Sequence, residues 1–144
     1  MTEHLSDFLG PDRGLTVAEA RATYGATAKS FRKLRVYGEA IKLTVACYEM
    51  AKLLPKEEQY GLSSQLRRAA VSVTANIAEG WGREGNAEFA RFVDIAIGSL
   101  CEVRALVDVC VELNYTSSEA TAAIETRADD LSGMLHNLRL RLRS

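Results

Sequence analysis

Apolar residues recur at alternating steps of four and three residues along four separate segments of the chain. Such steps return a side chain to the same face of an α-helix, so each segment predicts a helix with one buried stripe. No segment alternates apolar and polar residues between hairpin turns, as the strands of a surface sheet do. The pattern therefore predicts an all-α fold. The longest stripe consists of Phe89, Val93, Ala96, Leu100, Val103, Val107 and Cys110.

Short breaks between the four segments determine the predicted topology. The first helix is predicted over residues 34–54, and Pro55 ends it because proline lacks a backbone N–H. Gly80 is predicted to end the second helix, Asn86 to cap the third, and Thr116 to begin a capping box for the fourth. Short connections make neighbouring helices antiparallel. We therefore expect an antiparallel up-down-up-down four-helix bundle.

The beginning of the chain differs from these helical segments. Residues 1–30 contain Gly10, Pro11, Gly14 and Gly25 and no long apolar repeat. We expect an N-terminal extension at residues 1–30, which is partly ordered or binds a partner. The four-helix bundle domain is expected at residues 31–144.

Composition constrains the class of protein. The chain has 144 residues, a typical length for one domain, and a net charge of −1. Its three cysteines have no paired spacing, which argues against a disulfide framework. The first residues do not resemble a signal peptide, and no uncharged stretch is long enough to cross a membrane. We expect a cytoplasmic protein that does not associate with membranes.

The motifs that could carry chemistry are weak. Gly80, Gly82 and Gly85 match the spacing of a dinucleotide-binding loop, but a helix rather than a strand precedes them. No Glu-x-x-His pair or cysteine–histidine spacing suggests a metal site, and no histidine is placed to activate a cysteine. We expect a non-enzymatic protein without catalytic, cofactor-binding or metal sites. Trp81 either covers the core or contacts a partner.

Basic residues from three segments converge at one end of the expected bundle. This end contains the start of the first helix, the connection between the second and third, and the end of the fourth. Such a cluster is typical of a site for a polyanion, although arginines at a helix C-terminus also favour the helix dipole. The candidate polyanion-binding residues are Arg32, Lys33, Arg35, Arg83, Arg139, Arg141 and Arg143.

Polar residues interrupt the apolar stripes of the second and third helices. Buried polar groups are costly unless they are hydrogen-bonded, so these residues are predicted to bond with one another in the core or at an interface. There they would fix helix register or subunit pairing. The candidate residues are Gln65, Arg68, Ser72, Asn76, Glu79, Ser99 and Glu102.

The first and third helices carry more apolar residues than one stripe requires. Tyr37, Ile41, Val45 and Tyr48 form a second row on the first helix. Two interpretations remain open, a wide buried core or a helical subunit interface.

Five stretches of this sequence, in fixed order, resemble the four-helix bundle proteins encoded in 23S rRNA intervening sequences. Together they lie within residues 31–142, and the accessory variability determinants of diversity-generating retroelements are similar. Thr74 stands where that family usually has proline, and the pI near 6.1 is lower than in the basic retroelement members. The stretches are Pro55–Val73, Asn76–Gly80, Glu88–Phe92, Ala96–Ser99 and Glu102.

The resemblance implies a four-helix subunit that commonly assembles as a ring-like homopentamer. For the retroelement branch it implies binding of a reverse transcriptase and of RNA or DNA through basic surfaces. We therefore consider two functions. The first is a homo-oligomeric scaffold or adaptor that engages RNA or a reverse transcriptase. The second is a structural or regulatory module that binds a protein through its N-terminal extension, without nucleic acid.

Overall fold

The computed structural model describes residues 30–144, and all regular secondary structure in that range is helical. The four long helices are α1 (Arg35–Ala51), α2 (Leu62–Gly82), α3 (Asn86–Glu112) and α4 (Ser118–Arg143). Short 3₁₀ helices at Ser30–Lys33 and Lys56–Glu58 precede α1 and α2. The predicted all-α four-helix fold is confirmed. Residues 1–29 of the predicted extension lie outside the described residues.

Each helix packs on its neighbours in the sequence, and α4 returns to pack on α1, which closes the bundle. The predicted stripes form its core. All seven residues of the longest predicted row, from Phe89 to Cys110 on α3, are at most 2 % exposed, and the α4 row from Ile124 to Leu142 is buried as well. Truncating a leucine in such a core to alanine typically costs about 2–5 kcal/mol. The periodicity of the sequence therefore identified the packing surfaces correctly.

Gly80 does not end α2, contrary to the prediction, because the helix continues to Gly82. Gly80 is buried where α2 crosses α3. A Cβ atom on Gly80 would lie 2.7 Å from Cβ of Phe92 and 2.8 Å from Cδ2 of Phe89. The glycine therefore allows the two helices to approach closely.

Trp81 follows Gly80 at the end of α2. Its side chain is 1 % exposed and meets Phe89 edge to face with the ring centroids 6.0 Å apart. Of the two roles considered for Trp81, covering the core is confirmed.

Other helix boundaries also differ from the prediction. α1 ends at Ala51 rather than at residue 54, although Leu54 remains buried beyond it. Gly85, with φ of 82°, occupies the N-cap of α3, since its backbone conformation suits glycine better than asparagine. Ser117 caps α4, because its Oγ accepts a hydrogen bond from the backbone N–H of Ala120 at 3.1 Å. The predicted cap at Thr116 was one residue early.

Glu58 joins the two connections at the other end of the bundle. Its carboxylate accepts hydrogen bonds from the backbone N–H of Leu62 at 2.9 Å and from the hydroxyl of Tyr115 at 3.3 Å. The first bond satisfies a donor at the start of α2, where Gly61 offers no side-chain cap. The second ties the α3–α4 connection to the α1–α2 connection.

Candidate functional site

The basic end is the end of the bundle where α1 starts, α2 passes into α3, and α4 finishes. Residues 30–144 contain fifteen cationic and fifteen acidic side chains, so this part of the chain is neutral as a whole. Eight of the cations but only five of the acids lie at the basic end, which leaves an excess of negative charge elsewhere. The eight are the seven predicted candidates and Arg91, and the five acids are Glu39, Glu79, Glu84, Glu88 and Asp94.

Asp94 on α3 holds two of the predicted binding residues in place. Its Oδ1 accepts a hydrogen bond from Nη1 of Arg139 at 3.0 Å, and its Oδ2 accepts one from Arg143. Both arginines lie on α4, one turn apart, so a single carboxylate fastens the end of α4 to α3. The Arg143 side chain nevertheless remains 54 % exposed. Sequence reasoning missed Asp94, although an aspartate opposite two arginines spaced four residues apart could have suggested it.

Further guanidinium groups at the basic end pack on aromatic rings. The guanidinium of Arg32 lies 4.7 Å from the ring centroid of Phe31. Arg83 and Arg91 lie 5.2 and 4.6 Å from the ring centroid of Phe92. Such cation–π contacts orient the side chains without cancelling their charge. Sequence reasoning did not select Arg91.

Glutamates compensate part of this charge. Glu79 accepts a hydrogen bond from Arg83 at 2.6 Å, and Glu88 accepts one from Arg91 at 3.1 Å. The hydrogen bond from Arg91 lowers the pKa of Glu88 and keeps that carboxylate charged. All four side chains are about half exposed, so these pairs are screened by solvent and can exchange for a ligand phosphate.

The predicted polar set is only partly assembled within the described residues. The hydroxyls of Ser72 and Ser99 bond across α2 and α3 at 2.7 Å. Asn76 donates through Nδ2 to the backbone oxygen of Ser72 at 2.7 Å and to its Oγ at 3.0 Å. Glu79 lies apart from this group, on Arg83.

Three other members of the predicted polar set surround a hollow beside Ser72. Gln65, Arg68 and Glu102 line this hollow, which has a volume of about 530 Å³. Within residues 30–144, neither Arg68 nor Glu102 forms an ion pair. Within the described residues Arg68 therefore pairs with neither of the two carboxylates of the predicted set, Glu79 and Glu102.

The outer side of α1 and α2 exposes large apolar side chains. We call it the α1/α2 face and define it by Ile41, Val45, Tyr48 and Val71, which are 39 %, 56 %, 39 % and 43 % exposed. Two hollows of about 280 and 450 Å³ lie along it and share Val71. The row on α1 was predicted from the sequence, but the contribution of α2 was not.

The surplus apolar residues of α3 divide between the two interpretations. Phe92 and Leu106 are buried, which supports a wide core. Ile95 is 40 % exposed and Cys101 is exposed, which leaves them available to an interface. On α3 the wide core is therefore confirmed for Phe92 and Leu106, and the subunit interface stays a prediction for Ile95 and Cys101.

Thiol ionisation, metal-ligand clusters and membrane-spanning helices can each be assessed for the described residues. Burial raises the pKa of the Cys47 thiol to about 12, so this cysteine is not a thiolate at neutral pH. In the range 30–144 no group of three or more histidine, cysteine, aspartate or glutamate side chains could hold a metal ion. None of the helices in this range is both long and apolar enough to span a membrane.

Comparison with known proteins identifies the family. The family described as 23S rRNA-intervening sequence protein matches residues 32–137. A crystal structure of a protein of unknown function, from the S23 ribosomal protein family of Bacteroides thetaiotaomicron, superposes with a TM-score of 0.67. The two sequences are 20 % identical, and the match covers 72 % of this chain and 97 % of the other, which shows a shared fold. No curated protein matches the chain. The chain belongs to the family of 23S rRNA-intervening sequence proteins.

Proposed function

We propose that this chain is a non-enzymatic scaffold that assembles into a homo-oligomeric ring, a pentamer, and presents its basic end to RNA. The observation that carries the proposal is the α1/α2 face, whose four large apolar side chains are 39–56 % exposed. Monomeric proteins rarely leave a contiguous apolar surface of this kind uncovered. A second copy of the chain would remove it from water.

Self-assembly would place several copies of the basic end on one particle. In one subunit the eight cations of the basic end outnumber its five acids, and several of its ion pairs are half exposed. Phosphate groups could replace the carboxylates in these pairs. A ring repeats this end once per subunit, so contacts that are weak individually would add through multivalency. RNA carries many phosphates along a single ligand, so one RNA molecule could contact several basic ends.

Buried thiols support the non-enzymatic part of the proposal. The nucleophile in cysteine chemistry is the thiolate, and burial disfavours that form for Cys47 and Cys110. Nδ1 of His136 donates a hydrogen bond to the backbone oxygen of Ser132 on its own helix, 2.8 Å away, and Cys47 lies on a different helix. These groups are placed for packing rather than for nucleophilic attack.

Light scattering at micromolar concentration tests the assembly. We expect a mass several times the 15.8 kDa of one chain, with about five chains per particle. A mass of one chain over the whole concentration range would contradict the proposal.

Fluorescence anisotropy with a structured RNA tests the ligand. The variant Lys33→Gln/Arg141→Gln removes two charges at the basic end, and Lys52→Gln/Lys56→Gln removes two from the opposite half as a matched control. We expect wild-type affinity to fall steeply with salt, and the first variant to bind more weakly with a salt slope smaller by about two. The control should bind like wild type.

Two results would argue against RNA as the ligand of the basic end. Equal losses in both variants would place the site elsewhere. No binding at low salt would exclude RNA and leave a protein, such as a reverse transcriptase, as the partner to test.

A further inference from the structure

We propose that neighbouring copies join head to tail, with an outward stripe of α3 from one copy seated on the α1/α2 face of the next. This inference rests on the self-assembly proposed above and specifies which two surfaces meet. We call the first surface the α3 stripe, and its members are Ile95, Gly98, Glu102, Ala105 and Val109.

The α3 stripe is shaped to approach another helix. Its residues recur at steps of three and four, so they share one side of α3. Ile95 and Val109 are 40 % and 43 % exposed and lie towards the two ends of the stripe. Between them, Gly98 has no atom within 4 Å of the position of a Cβ, and Ala105 is exposed. Large apolar side chains therefore flank a shallow stretch into which side chains of a partner can fit.

The α1/α2 face contains two hollows that are complementary in shape to large apolar side chains. The larger of its two hollows, about 450 Å³, lies between Tyr48 on α1 and Val71 on α2. The smaller one continues along Ile41 towards Phe31. Side chains such as Ile95 and Val109 would fill hollows of this kind, and the burial would remove apolar surface from water on both partners.

Charge complementarity favours seating the α3 stripe on the α1/α2 face over pairing two faces or pairing two stripes. Arg67 and Arg68 line the larger hollow of the α1/α2 face, whereas Glu102 lies in the middle of the α3 stripe without an ion pair in residues 30–144. Pairing two α1/α2 faces would bring the Arg67 side chains together, and pairing two α3 stripes would bring the Glu102 side chains together, with Arg68 beside each of them. Placing the stripe on the face brings opposite charges together instead.

The positions of the two surfaces allow a ring to close. Glu102 shares a hollow with Gln65 and Arg68 of α2, so the α3 stripe opens on the α2/α3 side of the bundle. The α1/α2 face is the adjoining side of the bundle, so the two surfaces lie on either side of α2. A head-to-tail contact rotates each copy relative to the last, and the copies form a ring when that rotation closes. Two different surfaces on adjoining sides of the bundle are therefore compatible with a closed ring.

Mixing two assembly-blocked variants tests the inference. Val45→Glu/Val71→Glu places like charges on the α1/α2 face, and Ile95→Glu/Val109→Glu does the same on the α3 stripe. We expect each variant alone to be a monomer of about 15.8 kDa. Each variant keeps one of the two surfaces intact but lacks the other surface, to which the intact one would bind. An equimolar mixture should give a one-to-one heterodimer of twice that mass and nothing larger, because one intact stripe meets one intact face.

A third variant controls for added charge and for folding. Leu53→Glu/Leu140→Glu changes two apolar side chains that are 74 % and 70 % exposed and lie outside both surfaces, so it should assemble like wild type. Circular dichroism should show wild-type helicity in all three variants, because each replaced side chain is at least 40 % exposed.

The outcomes separate this inference from the assembly itself. A monomeric wild type would overturn both. An oligomeric wild type whose α3-stripe variant still dimerises alone would show that α1/α2 faces pair with each other. A face variant that assembles like wild type would show that something else, such as residues 1–29, covers that face. A mixture without heterodimer would show that the ring uses other surfaces. Each of these last three results would overturn the head-to-tail contact while leaving self-assembly intact.

Discussion

The two ends of the bundle each use one carboxylate to join separate elements, but they pair it with different donors. At the basic end, Asp94 binds the charged guanidinium groups of Arg139 and Arg143. At the opposite end, Glu58 binds a backbone N–H and the neutral hydroxyl of Tyr115. Asp94 therefore reduces a local excess of positive charge, whereas the negative charge of Glu58 is not compensated by its partners.

The charged residues are distributed unevenly between the two ends, which explains how a chain with a net charge of −1 can have a basic end. Overall charge describes solubility, but a ligand responds to the local field. The acids of the basic end are outnumbered, and the negative charge of residues 30–144 is displaced towards the other end and the sides. A pI near 6.1 therefore does not argue against an anionic ligand.

Replacing a glycine at each end should give the largest difference between them. In Gly80→Ala the new Cβ would meet Cβ of Phe92 at 2.7 Å, an atom fixed to the backbone of α3. We expect the free energy of unfolding to fall by about 1–3 kcal/mol, as overpacked cores generally show. In Gly61→Ala the nearest atom is Oε2 of Glu58 at 2.6 Å, the end of a flexible side chain. The loss there should be smaller, and urea denaturation measures both.

Gly82→Ala is the control for helix propensity, because nothing lies within 4 Å of its added Cβ. Alanine favours a helix over glycine by up to about 1 kcal/mol, so this variant should be as stable as wild type or slightly more so. Equal stabilities for the variants at positions 80 and 82 would contradict the close packing of α2 on α3.

Sequence periodicity predicted the fold well because one buried stripe per helix dominates the packing. It predicted Gly80 wrongly, since the same residue type ends some helices and permits close contact in others, and only the neighbouring helix distinguishes the two. The antiparallel topology predicted from this periodicity was enough to place the basic residues at one end of the bundle. Periodicity missed Asp94, because a pairing between α3 and α4 depends on how each helix is rotated about its axis.

Neutralising Asp94 at the basic end and Glu58 at the opposite end should have different effects on RNA affinity. Asp94→Asn leaves Arg139 and Arg143 without their anionic partner and should lower the free energy of unfolding by about 0.5–1 kcal/mol, as for exposed ion pairs. If the basic end binds RNA, the same variant should bind it more tightly. Glu58→Gln makes the same chemical change at the opposite end and should leave RNA affinity at the wild-type value. Anisotropy titrations at low salt would detect the difference, and a stronger gain for Glu58→Gln would reverse the assignment of the ends.

The smallest expected effect is a pH dependence confined to the Glu58 end. Burial, and then the negative charge of Glu58, raise the pKa of Tyr115 above its ordinary value near 10. A raised pKa in the folded state means that this tyrosine contributes stability below its unfolded pKa, and that the contribution is lost as pH rises through the folded pKa. Tyrosinate absorbance should therefore show one group that ionises later than the others, and Tyr115→Phe should remove it. Glu58→Gln should move that ionisation to lower pH, because the amide carries no charge. Asp94→Asn should leave it unchanged, since Asp94 lies at the other end; a similar shift in both variants would mean that net charge rather than the contact with Glu58 controls Tyr115.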